Sequence, residues 1–274
     1  MGDAIGKTGA AADLYESAYR WLYKLPGGLG IANVVGCSIF AAMCGSSTAT
    51  AAAIGSMGIP EMRKRGYSGG LAGGLVAAGG TLGILIPPSV AFILYGIVVE
   101  QSIGRLFIAG IVPGVLLALL FALWVAYKSH RTNRRAAKDA DASTNVRVSP
   151  EHYTTRERLR SLPRLLPFLV IITVVMVTLY GGFATPSEVA GVGALATIVV
   201  VAVVYRCYRW SDVQPILLGT SRESSMIMMI IALAFLFTYV MGFLHISKEA
   251  PQCLVSLPMS KWGYLFWMAV LVVL

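Results

Sequence analysis

Long stretches without a charged residue dominate this chain and restrict the folds that it can adopt. A helix needs about 20 residues to cross the hydrocarbon core of a bilayer, which is about 30 Å thick. Five uncharged stretches come close to that length or exceed it, at residues 66–99, 107–127, 165–187, 189–205 and 224–247. Only 13% of all residues are charged, against about 25% in soluble domains. We therefore predict an all-α integral membrane protein.

A further uncharged stretch, residues 25–60, is 36 residues long and has basic residues on both sides. Arg20 and Lys24 precede it, and a cluster of three cations follows it. Basic segments mark the cytoplasmic face of a membrane protein, so both ends of the stretch are expected there. One crossing would separate the ends, and two crossings need about 40 residues plus a turn. We predict a re-entrant hairpin instead. Its arms are residues 28–43 and 49–57, and its tip is residues 45–48.

The remaining basic residues cluster between two of the long stretches. Residues 128–164 contain 10 of the 22 Lys and Arg residues and 4 acidic ones, which predicts a cytoplasmic loop. This placement accounts for the net charge of +9, and we exclude nucleic-acid binding.

Residues 1–24 are predicted to form an amphipathic helix at the cytoplasmic interface. Residues 165–274 are predicted to form further transmembrane helices; the last apolar run, 262–274, is too short to span, so we expect a fragment.

Four hydroxyl side chains stand side by side at the middle of the hairpin, namely Ser46, Ser47, Thr48 and Thr50. Non-helical backbone at mid-membrane depth is tolerated only where it is buried in protein or lines an aqueous cavity. The tip is therefore a candidate site. The alternative is that these small residues only let helices pack closely, with the hydroxyls bonded to their own helix.

Two consecutive prolines interrupt the next stretch, residues 66–99. Pro87 and Pro88 lack the N–H groups that a helix needs, so the stretch should divide into two half-helices near mid-membrane. Carbonyl groups are then free near Gly83, and the half-helix that begins at Ser89 presents its positive end. Transporters hold cations and anionic substrates with such elements. A proline kink that serves packing alone is the alternative.

The two interrupted elements contain no Asp, Glu, Lys, Arg or His. Hydroxyl and carbonyl oxygens suit a hard monovalent cation, so we predict Na⁺ as the coupling ion and no other cofactor. Its candidate ligands are Ser46, Ser47 and Thr50. The complete predicted site for ion and substrate is Gly45, Ser46, Ser47, Thr48, Thr50, Gly83, Pro87, Pro88 and Ser89.

Glycines recur at intervals of four along residues 66–99. The pairs are Gly69/Gly73, Gly70/Gly74 and Gly79/Gly83. This spacing favours close contact between helices and needs no ligand.

Thr185 and Glu188 have the spacing of a capping box, and Pro186 stands at the first helical position. Each of these features is typical of a helix N-terminus. We predict that they begin a helix and do not bind a ligand.

Several motifs together resemble one family of membrane proteins. They are Gly45-Ser-Ser-Thr-Ala-Thr-Ala-Ala-Ala-Ile-Gly-Ser-Met-Gly-Ile-Pro-Glu-Met62, Arg65-Gly-Tyr67, Leu82-Gly-Ile-Leu-Ile-Pro-Pro-Ser89, Ser102-Ile-Gly-Arg-Leu-Phe-Ile-Ala-Gly-Ile-Val-Pro-Gly114 and Ala184-Thr-Pro-Ser-Glu188. With these motifs, essentially the whole chain resembles the large membrane subunit of C4-dicarboxylate-type tripartite ATP-independent periplasmic (TRAP) transporters.

The resemblance implies a sodium-driven importer of organic anions in the bacterial inner membrane, with an elevator-type motion and no enzymatic activity. It also implies two partners, a small membrane subunit and a soluble periplasmic substrate-binding protein. The hydroxyls of residues 46–50 match the tip of the family's first hairpin, and Pro87, Pro88 and Ser89 match its first helix break. The family carries an inverted repeat with a second hairpin and a second break, which we expect after residue 274, and a further span before residue 1.

Two other functions are compatible with parts of the sequence. An intramembrane serine enzyme could use Ser46 or Ser47 as its nucleophile and His245 as the base that a serine needs. A passive membrane scaffold or channel element would need no ligand at the tip, and Ser47→Ala would then leave uptake unchanged.

Overall fold

The computed structural model describes residues 1–136, 154–243 and 261–273 of the chain, and all regular structure within these ranges is helical. The helices are α1 (Gly2–Gly6), α2 (Ala10–Leu22), α3 (Gly28–Cys44), α4 (Ser47–Lys64), α5 (Gly69–Leu85), α6 (Val90–Val98), α7 (Ile103–Ala136), α8 (Thr155–Tyr180), α9 (Pro186–Val203), α10 (Trp210–Phe243) and α11 (Lys261–Val273).

Among the described residues, five helical stretches are long and apolar enough to cross a membrane. They are Gly69–Val98, Ile103–Arg131, Arg156–Tyr180, Pro186–Val203 and Trp210–Phe243. This result confirms the predicted class, an all-α integral membrane protein. The chain divides into two compact units, Met1–Ile216 and Leu217–Leu274. Along α10, which runs into the second unit, the apolar side chains are exposed, as suits a helix surrounded by lipid.

Helices α3 and α4 form a helical hairpin in the first unit. Gly45 ends α3 in the left-handed conformation, and Ser46 caps α4 by accepting a hydrogen bond from the Ala49 N–H (3.4 Å). At the other end of the hairpin, a Cβ added to Gly30 near the start of α3 would lie 3.7 Å from the ring of Tyr67. Tyr67 follows the end of α4, so both ends of the hairpin lie on the same side.

Helix α5 packs against both arms of the hairpin at glycine residues. A Cβ added to Gly79 would lie 2.6 Å from the Cys37 Sγ in α3, and one added to Gly80 would lie 2.9 Å from the Ala51 Cβ in α4. The backbones can approach this closely because these residues lack a side chain. Asn33, which is fully buried in α3, adds a polar contact by donating from Nδ2 to the Leu75 carbonyl of α5 (3.2 Å).

The glycine pairs therefore differ in what they contact. Gly79 and Gly83 approach the hairpin closely, as the spacing predicted. At Gly69, Gly70, Gly73 and Gly74, in contrast, nothing in the described part of the chain lies within 4 Å of an added Cβ. Close contact at these four positions is therefore not found among the described residues, because they lie on a side of α5 that the hairpin does not cover.

Several helices extend beyond their predicted ends. The second hairpin arm continues through Pro60 to Lys64, and α7 continues through the first part of the predicted loop to Ala136. Helix α10 begins at Trp210 instead of residue 224. Charged residues limit how far a segment can lie in hydrocarbon, but they do not end a helix, because Lys and Arg are good helix formers. The last part of the predicted loop, from Thr155, belongs to α8. Residues 137–153 lie outside the described residues.

The N-terminal region consists of α1 and α2 instead of a single helix over residues 1–24. Helix α2 buries Leu14, Tyr15 and Ala18 against its neighbours in the protein, while Trp21 remains 46% exposed. Its apolar face is thus covered mainly by protein, and its position at the cytoplasmic interface stays a prediction.

Polar contacts join α2 to the helices that follow the basic loop. Arg164 Nη1 of α8 lies 3.4 Å from Asp13 Oδ1 and 3.0 Å from Glu16 Oε2, and Glu16 also pairs with Arg20. The Tyr205 hydroxyl donates to Asp13 Oδ2 (3.5 Å). Burial, and then the negative charge of Asp13, raise the pKa of Tyr205 to about 12, so this hydroxyl keeps its proton at neutral pH.

Arg164→Gln should lower the free energy of unfolding only slightly, by at most about 1 kcal/mol, because the ion pairs are partly exposed. The loss should shrink in high salt, which screens exposed charges. Thermal unfolding of the purified protein at low and high ionic strength measures both effects. Arg160→Gln is the matched control, since Arg160 is exposed and has no ion pair among the described residues. Equal losses in the two variants would contradict the assigned contact.

Candidate functional site

The tip of the hairpin is formed by Gly45 and Ser46. Gly45 has φ +62°, a conformation that favours glycine, and an added Cβ would collide with the Pro88 carbonyl oxygen. Its N–H donates to the Ala41 carbonyl (2.8 Å) and thereby completes the last turn of α3. Ser46 is extended (φ −127°, ψ 127°), which reverses the chain before α4 begins. The turn is tight because glycine supplies the conformation that no other residue adopts easily.

The break between α5 and α6 lies at Pro87 and Pro88. Helix α5 ends at Leu85, and Ser89 precedes the first residue of α6 in an extended conformation. The two prolines cannot donate to the carbonyls of Gly83 and Ile84, which would receive their helical hydrogen bonds in an unbroken helix. Two carbonyl groups are therefore left without their usual helical partner at this point of the span.

The hairpin tip and the helix break are in direct contact. The Val90 N–H at the start of α6 donates to the Gly45 carbonyl (3.2 Å). On the α5 side, a Cβ added to Gly83 would lie 2.8 Å from the Ser46 carbonyl group and 2.8 Å from the Ser47 nitrogen. We call this contact the tip–break junction, defined by residues 45–47 against Gly83 and residues 88–90. The two elements that the sequence predicted separately thus meet in space.

The hydroxyls of the tip differ in their hydrogen bonding. Thr50, fully buried, donates from Oγ1 to the Ser46 carbonyl (2.7 Å), as a hydroxyl bonded to its own helix does. Ser46 Oγ and Thr48 Oγ1 lie 3.1 Å apart, and Thr48 is exposed. Ser47 Oγ is shielded from solvent and has no hydrogen-bond partner among the described residues. Of the four predicted hydroxyls, the one on Ser47 has its full bonding capacity available.

Ser89 is the second hydroxyl of this kind. Its side chain is 1% exposed, its Oγ has no hydrogen-bond partner among the described residues, and it does not cap α6. Leaving a buried hydroxyl unpaired costs about 1–3 kcal/mol, so a site with two of them is suited to a ligand that accepts or supplies the missing bonds. The structure places both at the tip–break junction, since Ser47 adjoins Gly83 and the Ser89 Cα would lie 3.2 Å from a Cβ on Gly45.

A cavity of about 130 Å³ adjoins the Ser89 side of the junction. Ser89 is the only residue with a hydroxyl group in its lining, which otherwise consists of apolar residues, glycine and Cys44. The volume corresponds to a few water molecules at about 30 Å³ each. The cavity offers little room for an organic substrate, and Ser89 is the hydroxyl that a small occupant would meet in it.

The oxygen atoms at the junction that could act as metal ligands are of the kind that suits a hard monovalent cation. They are hydroxyl and carbonyl oxygens, and among the described residues no group of three or more His, Cys, Asp or Glu side chains could hold a metal ion. The two unpaired hydroxyls and the two carbonyls left free by the prolines are the atoms that could contribute. Ser47 and Ser89 carry the hydroxyls at the junction that have no partner among the described residues, whereas the Ser46 and Thr50 hydroxyls take part in hydrogen bonds and keep lone pairs that a cation could also use.

One neighbour of the site was not predicted. Cys44 is partly exposed, and its Sγ lies 3.3 Å from Thr50 Oγ1. Its position directly before Gly45 is the signal that could have identified it.

Thr185 and Glu188 form the predicted capping box at the start of α9. His245, the base of the alternative enzyme, lies outside the described residues, as does Cys253.

Comparison with known proteins connects the whole chain to one family. A model described as "Tripartite ATP-independent periplasmic transporter, DctM component" matches residues 1–274. The C4-dicarboxylate TRAP transporter large permease protein DctM of Pseudomonas aeruginosa is 38% identical over 257 residues, which are 94% of this chain and 57% of that protein.

Two relatives with other names are similar to nearly the same extent. The isethionate TRAP transporter permease protein DctMQ of Oleidesulfovibrio alaskensis is 30% identical over 98% of this chain and 41% of its own length. The ectoine TRAP transporter large permease protein TeaC of Halomonas elongata is 30% identical over 90% of this chain and 55% of its own length. The chain thus spans about half the length of these relatives.

Proposed function

We propose, on the premise that the chain belongs to the family of DctM components of tripartite ATP-independent periplasmic transporters, that it forms part of a sodium-coupled importer of organic acids. The family consists of permeases of the inner membrane, and no catalytic activity is indicated for it. The names of the relatives give C4-dicarboxylate, isethionate and ectoine as their substrates. We propose a small organic acid, such as a dicarboxylate, for this chain.

The observation that carries this proposal is the tip–break junction. Residues 83–90 lie near the middle of the stretch Gly69–Val98, and the hairpin tip contacts them there. The two ends of the hairpin lie together beside the start of α5. This geometry supports a hairpin that enters the membrane to about half its depth and returns to the cytoplasmic side. Non-helical backbone at that depth is tolerated where it is buried in protein or lines an aqueous cavity.

The chemistry of the junction supports a division of roles. Oxygens of Ser47, Ser89 and the free carbonyls would hold the Na⁺, with Ser46 and Thr50 shaping the tip around it. The positive N-terminal end of α6 would face the carboxylate of the substrate, as half-helices do in other transporters. Movement of the hairpin together with α5 and α6, which are packed as one body through glycines, would carry ion and substrate across in an elevator-type motion.

Two partners belong to the proposal. A small membrane subunit would hold the permease in the bilayer, and a periplasmic substrate-binding protein would deliver the organic acid.

A passive membrane scaffold is the second candidate function, since the junction could also serve packing. The two unpaired buried hydroxyls argue against it, because packing alone gives no reason to keep them.

Uptake into proteoliposomes tests the function. The chain is reconstituted with a small membrane subunit and a periplasmic substrate-binding protein of this family, and labelled succinate, isethionate and ectoine are offered with external NaCl or KCl. We expect accumulation of at least one compound with NaCl and none above background with KCl. Uptake at the same rate in both salts would contradict the proposed sodium coupling. No uptake of any compound in NaCl would favour the scaffold.

A further inference from the structure

A groove of about 1010 Å³ runs between α5 and α7 in the first unit, away from the tip–break junction. Its floor on α5 is made of small residues, including Gly70, Gly74 and Ala78, and its wall on α7 is made of leucines and aromatic side chains. The residues of the α7 wall are Leu117, Leu120, Phe121, Leu123, Trp124, Tyr127 and Lys128.

The floor of the groove is not covered by the described part of the chain. A Cβ added to Gly70 or Gly74 would find nothing within 4 Å there. Both helices belong to stretches long and apolar enough to cross a membrane, so the groove lies against hydrocarbon. Within the described residues of the first unit nothing fills the groove, so an apolar partner is needed there in the bilayer.

One end of the groove is polar and positively charged. Ser68, Tyr127 and Lys128 line it, and Lys128 Nζ lies 4.7 Å from the centre of the Trp124 ring. Trp, Tyr and basic residues together mark the membrane–water interface. Arg63, which is exposed, precedes Ser68 by a few residues and adds positive charge near this end, whereas the charge of Lys64 is offset by Glu61, 3.6 Å away. By the distribution of basic residues, this end faces the cytoplasm.

We infer that the groove binds an anionic phospholipid of the cytoplasmic leaflet. Its acyl chains would lie on the glycine floor between α5 and α7, and its phosphate headgroup would bind at Lys128. Basic pockets between transmembrane helices on the cytoplasmic side are suited to anionic headgroups. A helix of another subunit is the main competing occupant, because glycines spaced by four also favour helix contact. The positive charge at the polar end of the groove favours the lipid, because an anionic headgroup pairs with a cation and an apolar helix does not.

Native mass spectrometry of the purified protein in detergent tests this inference. The probes are phosphatidylglycerol and phosphatidylcholine with identical acyl chains, added at equal concentration. We expect the protein to retain phosphatidylglycerol in preference. Lys128→Gln should reduce the retention of phosphatidylglycerol about fivefold, as expected for one cation near a headgroup, and leave that of phosphatidylcholine unchanged.

A second variant tests the groove itself. Gly74→Leu places a side chain on the floor and should reduce the retention of both lipids about tenfold, since overfilling a packed site costs that much. Gly73→Leu is the matched control, because Gly73 is equally open but does not line the groove. Equal retention by the two glycine variants, or no preference for phosphatidylglycerol in the unmodified protein, would overturn the inference. So would a bound second copy or subunit that Gly74→Leu alone releases.

Discussion

Gly83→Ala is expected to destabilise the protein by about 1–3 kcal/mol, the usual cost of forcing a methyl group into a packed site, and to abolish uptake. The added Cβ would lie 2.8 Å from backbone atoms of Ser46 and Ser47, which cannot move without opening the turn at Gly45. The tip would be pushed away from the break, and the hydroxyls at the tip–break junction would lose their arrangement. Thermal unfolding and uptake by the reconstituted protein measure the two effects.

Gly73→Ala on the same helix separates this contact from the general effect of alanine. Both glycines lie within α5, where alanine is favoured over glycine by about 0.5–1 kcal/mol. Nothing described lies near a Cβ at Gly73, so this variant should be slightly more stable and transport normally. The two substitutions are therefore expected to change stability in opposite directions. A stabilised and active Gly83→Ala would show that the tip and the break do not meet as described.

The sequence predicted the interrupted elements well because their signals are local. Basic residues on both sides of an uncharged stretch indicated a re-entrant hairpin; α3 and α4 form a helical hairpin, and its entry into the membrane from the cytoplasmic side stays a prediction. Two prolines indicated a break, and α5 ends at Leu85, just before Pro87. The capping box at Thr185 is likewise a local pattern, and α9 begins there. Each of these features follows from a few neighbouring residues. The turn at Gly45, the break at Pro87 and the start of α9 lie at the predicted places, whereas the second hairpin arm ends at Lys64 instead of residue 57.

The sequence could not predict which glycines are in contact. Gly70/Gly74 and Gly79/Gly83 have identical spacing, yet only the second pair meets the hairpin. The difference depends on how α5 is rotated against α3 and α4, which is a property of tertiary packing. A glycine motif that favours helix contact can therefore also line a groove, as Gly70 and Gly74 do.

The roles of the hydroxyls were likewise beyond sequence reasoning. Ser47 and Thr50 are both hydroxyl residues in the first turn of α4, but Thr50 bonds back to Ser46 while Ser47 has no partner among the described residues. This difference depends on side-chain rotamers and on the position of Gly83. The sequence places Ser89 in the predicted site because its backbone begins α6. The structure shows in addition that its side-chain hydroxyl is buried and has no partner among the described residues.

Ser47→Ala and Ser89→Ala are each expected to weaken Na⁺ binding about tenfold, because a lost ligand to a charged group costs about 1–3 kcal/mol. In KCl the same variants should be as stable as the unmodified protein or slightly more stable, since each removes a buried hydroxyl that has no partner. The unmodified protein should unfold at a higher temperature in NaCl than in KCl, by the ordinary effect of a ligand that binds the folded state. The measurement is the unfolding midpoint during a Na⁺ titration at constant ionic strength.

The opposite effects in the two salts distinguish ion binding from packing. A hydroxyl that merely packs would change stability equally in NaCl and KCl. Ser56→Ala is the matched control on the same helix, because the Ser56 Oγ donates to the Ala53 carbonyl (2.8 Å) and lies away from the tip; it should leave the Na⁺ titration unchanged. If both hydroxyl variants kept the full stabilisation by Na⁺, the cation would have to bind elsewhere, and Ser47 and Ser89 would be left as unexplained unpaired groups in the junction.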